Sequence, residues 1–194
     1  MQLIKALPFT LLLAVMLSCQ SGRWQKTTAL AVPKAALELR ANEGLYYHND
    51  QPFTGTAELK DVHGQLIAQE QFTEGKRHGT YTKWYGSGLM SYQAHYIAGR
   101  LHGQAQSWWS NGQLRSASYF EQGVAEGTQR QWYSSGALFK EMNLLNGKEH
   151  GLQRAWRENG KIYNNYEAKN GRIFGLKRAN LCFELKDEEV QYAD

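Results

Sequence analysis

Sixteen of the nineteen glycines in this 194-residue chain fall on three series that share one period of 24 residues. The first runs Gly55, Gly79, Gly103, Gly127, Gly151 and Gly175, the second Gly64, Gly88, Gly112, Gly136 and Gly160, the third Gly75, Gly99, Gly123, Gly147 and Gly171. Only Gly22, Gly44 and Gly86 stand off this ruler. Five full copies without an insertion predict a repeat architecture, in which no unit buries a face alone and each packs only on its neighbours. Such a chain presents a long surface before it presents an enclosed pocket, so its first functional reading is binding or scaffolding.

Within one copy, Gly79 to His102, two strand-length runs rich in Thr, Tyr and Trp lie between glycine-bearing turns, which is the pattern of a β-hairpin. The inner turns Val62-His63-Gly64, Gly86-Ser87-Gly88, Ser110-Asn111-Gly112, Ser134-Ser135-Gly136 and Glu158-Asn159-Gly160 predict three-residue loops whose last glycine takes positive φ. No stretch between the glycines is long enough to show a helical period. The expected fold is therefore all-β: an elongated, single-layer antiparallel meander of about five hairpins.

Three apolar columns follow the period. Trp84, Trp108, Trp132 and Trp156 come five residues after an opening glycine; Leu66, Met90, Leu114, Leu138 and Ile162 come eleven after; Phe72, Tyr96, Phe120 and Leu144 come seventeen after. With a three-residue turn and strict strand alternation, all three share one face, which is then the core and, in a sheet one layer thick, also a groove. A two-residue turn would instead set the tryptophans among Thr, Gln and Arg. The tryptophan column and its neighbours Tyr85, Trp109 and Tyr133 make up the candidate binding surface.

Units ending Gly-Lys-Arg-His-Gly, Gly-Arg-Leu-His-Gly or Gly-Lys-Glu-His-Gly, with Trp-Tyr before an inner Asn-Gly or Ser-Gly turn and Leu two residues beyond it, resemble MORN repeats in their longer bacterial variant, including the YwqK-type antitoxin-like family. The resemblance runs from Gly55 to Gly175. It implies a twisted meander and an interaction surface, with no single biochemical activity; the antitoxin label implies neutralisation of a toxin, a role usually played in the cytoplasm.

The two ends depart from the unit. Lys60 stands in the tryptophan column of the first copy, and Asn180 follows Gly175-Leu176-Lys177-Arg178-Ala179 where tryptophan would come, so both ends read as caps. Leu45-Tyr46-Tyr47 and Pro52-Phe53-Thr54 are expected as opening strands within a cap over 38–54. Leu181, Phe183 and Leu185 predict a closing strand in a C-terminal cap over 176–194, and Asp187-Glu188-Glu189 is suited to blunting a sheet edge.

Residues 1–19 read as a lipoprotein signal: Lys5, a twelve-residue apolar run from Ala6 to Leu17 too short to span a bilayer, and Leu17-Ser18-Cys19. Met16-Leu17-Ser18-Cys19 resembles a lipobox, which makes Cys19 the acylated first residue of the mature chain and a membrane-held lipid anchor; an ordinary cleaved signal is the alternative. Gln20 rather than Asp after the cysteine resembles sorting to the outer membrane of a Gram-negative bacterium, facing the periplasm. Residues 20–37 show no periodicity and are expected as a flexible tether.

The net charge of +4 is dispersed over 22 basic and 18 acidic residues without a run, which argues against nucleic-acid binding. With Cys19 lipidated, Cys182 is the one remaining thiol, so no internal disulfide forms; it reads first as a small apolar residue and second as a soft metal ligand or redox group. His78, His102 and His150 share one repeat position, but two strands per repeat put them roughly 10 Å apart, too far to share an ion. Neither a nucleophile beside a base nor a phosphate-cradling loop stands apart from the repeat. The expectation is a non-enzymatic, cofactor-free, membrane-anchored module with a protein or envelope partner. A metal or redox accessory using Cys182, and an antitoxin-like or immunity protein, are the alternatives.

Overall fold

A computed structural model of the chain describes residues 30–176, 185–186 and 189–190. Cys19, Cys182, and Leu181 and Phe183 of the expected closing strand lie outside the described residues. In chain order the elements are β1 (Ala31–Pro33), a 3-10 turn (Lys34–Ala36), β2 (Glu38–Arg40), β3 (Leu45–His48), β4 (Gln51–Pro52), β5 (Gly55–Lys60), β6 (Leu66–Thr73), β7 (Lys76–Trp84), β8 (Met90–Ile97), β9 (Arg100–Trp108) and β10 (Leu114–Glu121). They continue with β11 (Val124–Ala125), β12 (Gly127–Trp132), β13 (Leu138–Leu145), β14 (Lys148–Glu149), β15 (Gly151–Trp156), β16 (Ile162–Lys169), β17 (Arg172–Leu176), β18 (Leu185–Lys186) and β19 (Glu189–Val190). Fourteen strands form one open sheet in the order β1-β5-β6-β7-β8-β9-β10-β12-β13-β15-β16-β17, with β11 beside β10 and β14 beside β13. From β5 onward its pairings are antiparallel between neighbours in the chain, the expected meander.

Two kinds of turn alternate along it. At the inner turns Tyr85 N–H donates to the Leu89 carbonyl at 2.8 Å and Gly88 N–H to the Tyr85 carbonyl at 2.9 Å, with Gly88 at φ 83°, so the loop holds three residues as expected. Between repeats the loops hold two residues, and both take positive φ: Ala98 at 48° with Gly99 at 83° is one such pair, and Glu74, Gln122, Asn146 and Asn170 occupy Ala98's place elsewhere. This is the type I′ hairpin, whose twist matches that of the flanking strands.

The expected sharing of one face by the three apolar columns is corrected by a β-bulge. Lys83 pairs with Tyr92 while Trp84 pairs with Met90, which leaves Ser91 without a partner. The same skip leaves out Ile67, Arg115, Phe139 and Tyr163 in the other copies. One extra residue reverses the parity of everything beyond it. The tryptophans therefore keep Met90, Leu114, Leu138 and Ile162 opposite them, but Tyr96 and Phe120 pair with Gly79 and Gly103 on the other face. The turn length was right and the face was not: with a three-residue turn, the tryptophans nonetheless lie on the side of Thr82, Gln93, Gln106 and Arg130.

The expected core on the tryptophan face is likewise corrected, because the most buried positions of the sheet lie on the opposite side. Ala57, Ala68, Ala94, Ala105, Ala155 and Ala168 are small and nearly inaccessible there, together with Phe72 and Tyr166. Side chains of one or two heavy atoms let a single-layer sheet cover its own surface without a second layer. At the N-terminal end, Val32, Phe53, Ala57 and Phe72 form a buried apolar cluster, closed by Leu37 and Tyr46. Strands β2, β3 and β4 form a small separate sheet over this end. β1 pairs in parallel with β5, so 31–36, inside the expected tether, are built into the cap. Lys34 and Arg77 both reach Glu70, at 3.1 and 2.8 Å. Burial pushes the Glu70 carboxyl up, but these two cations outweigh it and hold it below its usual range.

Candidate binding surface

Each tryptophan ends the first strand of its hairpin, and its cross-strand partner begins the second. The sequence Trp84, Met90, Trp108, Leu114, Trp132, Leu138, Trp156 and Ile162 therefore runs as one seam across eight consecutive strands, with equivalent residues roughly 10 Å apart. All four tryptophans are half-buried, as are Met90, Leu114 and Leu138, and Ile162 is 45% exposed. The seam is thus partly covered by its own members and open to a partner along its length.

The seam is bordered by polar and charged groups on the same face. Glu141 lies between Arg130 and Arg154 in adjoining strands, and the Arg130 Nε–H donates to it at 2.8 Å. Hydrogen bonds from Arg154 and Arg130 hold the Glu141 carboxyl below the usual carboxylate range. The Arg154 guanidinium also lies over the Trp156 ring, 5.4 Å from its centroid. Two arginines on one carboxylate leave a surplus positive charge beside the seam.

Tyr85, Trp109 and Tyr133 have a structural role that the repeat pattern alone did not reveal. The Tyr85 hydroxyl donates to the Trp108 carbonyl at 2.7 Å, the Trp109 Nε1–H to the Trp132 carbonyl at 3.0 Å, and the Tyr133 hydroxyl to the Trp156 carbonyl at 2.9 Å. Each aromatic residue thereby pins the tryptophan strand of the next repeat. At the other edge Gly99, Gly123 and Gly147 N–H groups donate to the carbonyls of Arg77, Leu101 and Ala125, again one repeat away. Two ladders of inter-repeat hydrogen bonds therefore hold both edges of the sheet in register, each bond contributing about 0.5–1.5 kcal/mol.

Buried glutamines were missed by sequence reasoning. The Gln129 amide donates to the Glu126 carbonyl at 2.7 Å and the Gln153 amide to the Asn143 carbonyl at 2.7 Å, which satisfies backbone groups beside the opening glycines Gly127 and Gly151. The only available signal was a polar residue two positions after an opening glycine, where Ala57 and Ala105 stand in other copies. On the same face Tyr81 sits edge-on to Tyr92, ring centroids 5.8 Å apart, and burial pushes the Tyr92 phenol up to about 12. Among the described residues, no three His, Cys, Asp or Glu side chains converge as a metal site would require.

Comparison with known proteins places one copy of the unit in a family: residues 101–122 match the MORN repeat variant. No curated protein matches the chain. One solved structure with some likeness is that of a point mutant of S. aureus TarM in complex with Fondaparinux, alpha-GlcNAc-glycerol and UDP, at 13% identity and a TM-score of 0.32. The likeness covers 60% of this chain and 21% of that one.

Proposed function

We propose that this chain is a non-enzymatic interaction module, held at a bacterial outer membrane through a lipidated Cys19 and presenting its tryptophan seam to a protein or envelope partner in the periplasm. A repeat-based binding or scaffold role is what the MORN repeat suggests, and one observation carries the reading to this surface. Eight apolar residues lie in line on one side of a single-layer sheet, and not one of them is buried. A continuous apolar stripe of this kind on a sheet face marks an interaction surface, and tryptophan is among the residues enriched at the anchors of such surfaces. The two hydrogen-bond ladders fix the spacing of the anchors, so little conformational freedom is lost on binding.

Photocrosslinking tests the surface. A photoreactive residue at Gln106, on the seam face, should yield an adduct from intact cells that disappears in the Trp108→Ala, Trp132→Ala double variant. The same residue at Ser118, on the opposite face, should yield none. Equal adducts from both positions, or persistence in the double variant, refute the assignment. The anchor is tested separately: an alkynyl fatty acid should label the wild type and not Cys19→Ala.

A further inference from the structure

On the face opposite the seam, a groove lies beside the bulge of the third repeat. It is lined by Ser107, Trp109, Arg115, Ser116, Gln131 and Phe139, with the seam residue Trp132 at its border, around a volume of about 320 Å³. We propose that this groove is a binding site for a carboxylate-bearing sugar, with Arg115 as the carboxylate ligand.

Arg115 is the bulge residue, so its side chain is not committed to a cross-strand row. Its guanidinium stacks on Trp109, 4.6 Å from the ring centroid, and Trp109 is itself fixed through its indole N–H to Trp132. The cation is therefore exposed and pre-oriented. It has no carboxylate of its own: the ion pairs among the described residues involve Lys34, Arg40, Lys60, Arg77, Arg130 and Arg154. A planar guanidinium held this way matches a carboxylate with two parallel hydrogen bonds.

The rest of the lining selects the class of molecule that carries the carboxylate. The Ser107 and Ser116 hydroxyls face each other at 2.6 Å, each still able to bond a third group, and the Gln131 amide makes no side-chain hydrogen bond within the described structure. Three neutral groups that both donate and accept suit ring hydroxyls. Phe139, tilted against Tyr133 with ring centroids 5.0 Å apart, supplies aromatic surface for the C–H face of a sugar ring, while Trp109 carries Arg115 on one of its faces. A peptide ending in a carboxylate would call for backbone partners, and the neighbouring strands spend theirs on the sheet ladder. The volume lies near the lower limit of small-ligand pockets and suits one or two sugar rings. Ile67, Ser91, Phe139 and Tyr163 stand at this position in the other copies, so among the described residues Arg115 is the one arginine at a bulge.

Isothermal titration of the full chain with a glucuronic-acid trisaccharide, and with the neutral glucose trisaccharide of the same linkage, tests the proposal. The acidic sugar should bind at least ten-fold more tightly. Arg115→Gln should abolish that preference without changing the melting temperature, and Ser116→Ala should weaken both sugars several-fold. Trp108→Ala, on the opposite face, should leave sugar binding intact, so failure of the seam and failure of the groove are separable. Absence of saturable binding, equal affinity for the two sugars, a preference retained in Arg115→Gln, or tighter binding of a short peptide ending in an aromatic residue would each overturn it.

Discussion

Replacing Gly75 and Gly99 by alanine, one at a time, separates what backbone conformation costs from what packing costs. The two glycines hold the same place in consecutive type I′ turns, at φ 75° and 83°. An alanine there meets left-handed strain of about 1–2 kcal/mol, offset by about 0.4–1 kcal/mol because it restricts the unfolded chain more than glycine does. For Gly99 nothing else changes, since the nearest atom to a new Cβ is the Lys76 Cβ at 4.0 Å. Its net cost is about 1 kcal/mol. At Gly75 the same Cβ would stand 2.9 Å from the Tyr46 carbonyl oxygen and 3.0 Å from the Leu45 Cβ, both in the cap strand laid over the turn. That strand must shift, which strains the bonds from Tyr46 N–H to the Gly75 carbonyl, 2.8 Å, and from Gly75 N–H to the Phe53 carbonyl, 2.9 Å. At about 0.5–1.5 kcal/mol each, their loss brings the total to about 2–4 kcal/mol before any loosening of Phe53 and Phe72. Urea unfolding followed by tryptophan fluorescence reads the difference. Equal midpoints for the two variants would mean that the 38–54 cap does not rest on the first turn, and the argument from packing would fail.

Three further outcomes follow from the same geometry. Ala98 holds φ 48° where Asn146 and Asn170 stand in later copies, so Ala98→Asn should raise stability by about 0.5–1 kcal/mol, measured as an upward shift in melting temperature. Glu141 has a folded pKa below its unfolded value of about 4.3, so its contribution is complete above that value and is lost as pH falls through the folded one; Glu141→Gln should flatten the acid limb of the stability profile, and an unchanged limb would rule the triad out as its source. Trp108→Ala should cost about 2 kcal/mol in urea, less than the ~3–5 kcal/mol of a fully buried tryptophan, and Trp156→Ala less again because its partner Ile162 is already 45% exposed; a full-burial cost for Trp108 would restore the core to the tryptophan face.

What could be read from the sequence, and what could not, divides along backbone conformation. Positive φ is nearly a glycine property, so Gly64, Gly88 and their equivalents disclosed the period, the hairpins and the three-residue loops. Positions that reach positive φ without glycine, Glu74, Ala98 and Gln122, carry no such mark, and the two-residue turns they form were not legible. The bulge was hidden for the same reason. Its residues are Ile67, Ser91, Arg115, Phe139 and Tyr163, which share neither size nor polarity, and alternation read straight through them sends Tyr96 to the wrong face. The reading of the first nineteen residues as a signal with a lipobox-like ending at Cys19 falls outside the described residues.

That lack of shared character at the bulge also has a functional side. Within the repeat, the opening glycine, the tryptophan and the aliphatic residue opposite it are each constrained by turn strain or by neighbours in the seam, and they vary little from copy to copy. The bulge residue has no partner across the strand, so sheet pairing does not restrict what it can be. In a ladder of near-identical hairpins this is where one copy can acquire chemistry that the others lack without disturbing the stack. Arg115 over Trp109, beside Ser107 and Ser116, is the position where this chain has done so most clearly. The seam, repeated four times with small changes, offers a surface that is extended and alike along its length; the bulge offers one that is local and different in each copy. A surface of the first kind suits a long or repetitive partner, and a site of the second kind fixes where along the sheet that partner or a second ligand is placed.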